Sequence, residues 1–174
     1  YSDGDLGIMA VGSTEEAKSL AQRWLDDTEG YSGQIVDPSP DNLKFLFIGK
    51  GHGDIPFLIA QSVTSKRSIS VIVNVNISES SRKGLSELGE KGREKFLWNL
   101  KREIMFAPAN FAFDPEFAKT GIPSAVQFSK EIYFEDLSEG RLAEVVDYTI
   151  RSALWLIWTF GRRFGPPSEV KSVE

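Results

Sequence analysis

A single histidine occurs in this chain, inside the segment Gly49-Lys50-Gly51-His52-Gly53-Asp54. Glycines let a backbone approach an anion closely, a lysine adds charge, and an imidazole titrates near neutrality. Phosphate contact or proton transfer is therefore the chemistry this segment could do. Any Ser-His-Asp relay or histidine general base would have to use His52, and glycines on both sides make it a poorly preorganised one. The spacing also misses both nucleotide signatures. A Walker loop runs Gly-x-x-x-x-Gly-Lys-Ser/Thr into a helix, and a dinucleotide fingerprint opens a helix after a strand. Here strand-like runs lie on both sides, so the plainer reading is a glycine-rich hairpin with residues at positive φ. Lys50 and His52 remain weak loop candidates.

Metal and covalent chemistry have less footing. The chain has no cysteine, which removes disulfides, thiolate nucleophiles and cysteine-ligated metals, and one histidine makes a zinc site improbable. Composition leaves an oxygen-only Mg²⁺ or Ca²⁺ site open, but helix-end and turn roles explain Asp26, Asp27, Asp37 and Asp41 more simply. Glu79, Glu87, Glu90, Glu94 and Glu103 are interleaved with Arg82, Lys83, Lys91, Arg93, Lys95, Lys101 and Arg102, a solvated helical face with i,i+4 pairs. Nothing singles out two of the 25 acidic residues as a catalytic pair. No catalytic residue, cofactor or metal site is expected, and the balance leans away from an enzyme.

The strongest functional signal is aromatic. A last helix from Leu142 to Phe160 sets Glu144, Asp147 and Arg151 opposite Leu142, Val146, Ile150 and Ala153. In its second half Trp155 and Trp158 overwrite the polar stripe. A helix apolar all round needs cover on every side, supplied either by the chain itself, with Leu6–Val11 a possible source, or by a partner. Leu154, Trp155 and Trp158 are the interface candidates, because tryptophan is enriched at hot spots. Phe106, Phe111, Phe113 and Phe117 form a second group, which either plugs one end of a core or lines an apolar pocket.

The elements that position these residues follow from periodicity. Ser13 and Glu16 are spaced as a capping box ahead of a helix with the apolar face Ala17, Leu20, Ala21, Trp24 and Leu25. Gln34–Val36 is extended, Leu43–Ile48 and Ile55–Ser62 read as strands, and Ile69 to Ile77 alternates with Ile72 as the sole exception. Strict alternation marks an antiparallel sheet with one buried and one wetter face. A helix from about Glu79 to Phe106 follows, its early turns weakened by Gly84, Gly89 and Gly92, where a break or kink is expected. A strand from Val126 to Phe134 comes next, and then the last helix, capped near Asp136–Glu139. The expected fold is α+β, order α-βββ-α-β(β)-α: one antiparallel sheet, a meander plus a C-terminal strand, with three helices packed on one face.

At 174 residues and net charge −5, one domain over 1–165 with a loose tail over 166–174 is expected, and general nucleic-acid binding is disfavoured. No run approaches a membrane span. The N-terminus lacks signal-peptide order, so a cytoplasmic location is expected, and the absence of an initial Met leaves room for an upstream segment.

From about Thr14 to Phe160 this order of elements resembles the secretion-chaperone-like fold of type III secretion chaperones and YbjN-related families. Trp24, the Ile69–Ile77 strand and the aromatic last helix are also similar to small archaeal families of unknown function. The resemblance implies a non-catalytic, chaperone-like protein- or peptide-binding module acting as a homodimer. The alternative is an apolar-ligand or lipid-binding domain with a pocket between sheet and helices.

Overall fold

Alternation along the strands decides the layering. The computed structural model describes residues 10–165. It contains β1 (Ser32–Ile35), β2 (Leu43–Lys50), β3 (Pro56–Ser62), β4 (Ser68–Asn76), β5 (Asn110–Phe113) and β6 (Ala125–Tyr133). They form one antiparallel sheet in the order β1-β2-β3-β4-β6-β5. Ile69, Val71, Val73 and Val75 turn to the same face as Val126, Phe128 and Ile132, and all are buried. Their register places Ile69 opposite Ile132, Val73 opposite Phe128 and Val75 opposite Val126. Phe45, Phe47, Phe57 and Ile59 continue that face across β2 and β3.

The longer helices bury their stripes on this side of the sheet, while the shortest has no buried residue. The helices are α1 (Thr14–Asp27), α2 (Glu79–Glu87), α3 (Gly89–Ile104), α4 (Glu116–Thr120) and α5 (Glu139–Phe164). Helix α1 packs on β1 and β2, α5 packs on β4 and β6, and α2 packs on α3 and α5. Buried Ala17, Ala21, Trp24 and Leu25 form the expected face of α1. Its cap is a variant of the reciprocal box. Ser13 Oγ accepts from the Glu16 N–H, while the Glu16 carboxylate accepts from the Gly12 N–H at 2.7 Å, one residue before the cap.

Three helices were expected and five are found among the described residues. The central helix divides because Gly89 takes φ +69°, a conformation glycine adopts without steric cost. Gly84, also expected to weaken the helix, lies inside α2 and leaves room for the Phe164 ring. The short α4 falls in the aromatic stretch around Phe117, for which periodicity gives no helix. There β5 adds an edge strand beyond β6, and the Asp114 carboxylate fixes the return by accepting the Ser124 and Ala125 N–H groups at 2.6 and 2.9 Å. Helix α5 outruns its expected ends, and Ser138 is the residue that caps it, accepting from the Arg141 N–H. The tail from 166 to 174, and Leu6 to Met9 of the expected covering segment, lie outside the described residues; Val11 is in the core. No helix among the described residues is long and apolar enough to cross a membrane.

Candidate functional site

Two regions flagged by residue type sit at opposite sides of α5. The first is the corner where β2 passes into β3 through a 3-10 turn, His52–Asp54. Gly53 has φ +74° and Asp54 φ +57°, as expected of a tight connection. The other two glycines have a different cause. Gly49 is extended within β2, and a Cβ there would enter the buried Phe57 ring. Gly51 is extended too, at φ −118°, and a Cβ there would lie 2.8 Å from both the Ile150 and the Tyr31 side chains. These glycines make room for the packing of Phe57, Tyr31 and Ile150.

His52 is exposed, with the edge of its ring against Tyr31 at 5.2 Å between centroids. Tyr31 packs in turn on Trp24 at 5.2 Å and on Phe57 at 6.0 Å. Among the described residues no carboxylate lies within ion-pair reach of His52 or of exposed Lys50. The imidazole therefore has no orienting acid. Burial pushes the Tyr31 phenol above its ordinary range, and Asp147 pushes it further, against the opposing pull of Arg151. Asp147 and Arg151 pair at 2.6 Å across one turn of α5. Among the described residues no three histidine, aspartate or glutamate side chains come together as metal ligands.

The second region is the solvent side of α5. Leu142, Val145, Val146, Ile150, Ala153, Leu156 and Phe160 are buried beneath it. Thr149, Ser152 and Thr159 satisfy their hydroxyls on the carbonyls of Val145, Tyr148 and Trp155, at 2.6, 2.9 and 2.8 Å, which lets polar residues occupy an embedded helix without orphaned donors. Leu154 and Trp155 are half-buried against the core, whereas Trp158 is 64% exposed. The two tryptophans that read alike in sequence are thus separated.

Phe111, Phe113 and Phe117 pack ring to ring at 5.8 and 4.8 Å, with the Lys101 ammonium over the latter two. Phe106, grouped with them in sequence, instead lies past the end of α3 and is 87% exposed. An open groove of ≈ 510 Å³ runs between α2 and the end of α5, past Gly84 and Phe164, and one of ≈ 410 Å³ follows α1. Neither is lined by these phenylalanines.

Besides Met105, 74% exposed next to Phe106, two further apolar features at the surface were missed from sequence. Trp98 is 68% exposed on α3; its position, turned away from the Leu97–Leu100–Ile104 stripe, was the available signal. The other is on the sheet face away from the helices, where register aligns Ile48, Leu58 and Ile72 across three strands. Ile72, the exception to alternation in β4, was the trace of that row.

The fold and much of the sequence have known counterparts. A family model described as "Uncharacterized conserved protein (DUF2299)" matches residues 17–160. The crystal structure of an uncharacterized protein from Methanothermobacter thermautotrophicus is similar, with a TM-score of 0.76 at 22% identity, covering 86% of this chain and 99% of that one. At that identity the likeness is one of fold. No curated protein matches the chain.

Proposed function

We propose that this chain, which belongs to the DUF2299 family, works by binding protein rather than by catalysis, as a homodimer that docks through α5. One observation carries the reading: Trp158 stands 64% exposed on the solvent side of a 26-residue helix, beside half-buried Trp155. Covering a large apolar side chain is worth roughly 1.5–3 kcal/mol, and tryptophans concentrate in interface hot spots.

Among the described residues His52 leans on Tyr31 and has no carboxylate within ion-pair reach. The Ile48–Leu58–Ile72 row on the sheet face away from the helices, and the resemblance of the element order to secretion-chaperone-like proteins, support a module that also holds a protein segment. A cytoplasmic location belongs to the same proposal.

Sedimentation velocity at rising micromolar concentrations tests the reading. Reversible association that Trp158→Ser weakens, with unchanged circular dichroism, supports it. A chain that stays monomeric throughout, or association indifferent to Trp158→Ser, overturns it.

A further inference from the structure

We infer that the occupant of the α5 surface is the α5 helix of a second copy, packed antiparallel about a two-fold axis near Ala153. This rests on the reading of α5 as the docking surface and adds a register to it. The solvent side of α5 carries Glu144, Tyr148, Arg151, Trp155, Trp158 and Arg162, at spacings of four, three, four, three and four. That 4-3 alternation is the seam period of two packed helices, and it runs five turns, about 27 Å. Glu144, Arg151, Trp158 and Arg162 are exposed, while Tyr148 and Trp155 are half-buried.

The seam is complementary to its own reversal. Laid antiparallel about position 153, Glu144 meets the partner subunit's Arg162, Tyr148 meets the partner subunit's Trp158, and Arg151 meets the partner subunit's Trp155. These are an opposite-charge pair, an aromatic pair and a cation over an aromatic face. Other alignments lose this match. A parallel pair sets Glu144 on Glu144 and Arg162 on Arg162, and an antiparallel pair centred on position 151 sets Arg151 on itself.

Glu144 and Arg151 already hold ion pairs within α5, with Arg141 and Asp147, each at 2.6 Å. Exposed pairs of this kind are worth little, so they can be exchanged at small cost. Six seam residues a side fall short of the roughly 20–30 of a standard interface, so the dimer is expected in the micromolar range.

The absence of cysteine makes the register directly readable. Single-cysteine variants Glu144→Cys and Arg162→Cys, one carrying a size tag, are oxidised separately and mixed. The antiparallel seam gives a cross-linked heterodimer in the mixture and little homodimer from either variant alone. Equal cross-linking of each variant with itself, or none in any combination, overturns the register. In parallel, Glu144→Arg should weaken association about tenfold, and adding Arg162→Glu should restore it; failure of that rescue also counts against the register. If wild-type chain associates and Trp158→Ser weakens it while the cross-links fail, the inference falls and the binding reading stands. If Trp158→Ser changes nothing, the reading falls with it.

Discussion

The corner around His52 and the crest around Trp158 share a helix and contrast in how completely the chain covers them. At the corner, Trp24, Tyr31 and Phe57 interlock over Gly49 and Gly51, and the N-terminal half of α5 adds Ile150 against Gly51. Its one histidine rests on the outside of that packing. At the crest, Trp155 is half drawn into the core and Trp158 is left in water. The glycines of the corner have structural causes, whereas the exposed tryptophan at the crest lacks cover among the described residues. Residue type alone does not tell a covered position from an uncovered one.

Substitution of the two regions' tryptophans should separate them most widely. Trp24 is 3% exposed, so Trp24→Ala should cost about 3–5 kcal/mol of folding stability, while Trp158→Ala should stay within about 0.5 kcal/mol in the monomer. Urea denaturation of the two variants checks this, and similar losses would erase the contrast. Gly49→Ala comes next. Its Cβ has no room beside Phe57, and overpacking of this kind costs about 1–3 kcal/mol. A neutral result would show the corner to be looser than described.

A smaller, pH-dependent effect belongs to Tyr31. Burial first, and Asp147 second, raise its phenol above the ordinary 10.0, so the folded chain holds that proton more tightly than the unfolded chain. The linked stability is whole below the unfolded phenol's pKa and is lost as pH rises through the higher folded value. Tyr31→Phe should flatten the alkaline fall in stability, leaving the part due to Tyr148, whose phenol is also raised by burial. A fall unchanged in Tyr31→Phe would detach the phenol from the corner. The smallest effect is expected of His52→Ala, within about 0.5 kcal/mol because the ring is exposed and makes one edge contact. A larger loss would promote His52 from bystander to part of the corner's support.

Much of this was legible in sequence. The β4 alternation, the α1 stripe and the capping Ser13 each depend on residues within a few positions, so period and spacing identify them. The buried stripe of α5 was equally plain, and Ile72 already broke the polar face of β4. Less legible were β5 and which of the glycines would make the expected break in the central helix. Four residues are too few for alternation to distinguish a strand from a loop, and three glycines in one helix do not say which will take positive φ. The corner's glycines were recognised as structural, but their physical cause was misassigned. Only Gly53 needs its φ; Gly49 and Gly51 need the space that Phe57, Tyr31 and Ile150 occupy.

The sequence by itself determined the longer elements, the antiparallel character of the sheet and the apolar side of each, because those follow from neighbours two to four residues apart. Only the tertiary structure decided which apolar side is covered. Trp155 and Trp158 are three residues apart and chemically identical, yet one is half drawn into the core and the other stands in solvent. Ile48, Leu58 and Ile72 lie on three different strands and become one row only through register. Cover is a property of segments distant along the chain, and local periodicity carries no record of them.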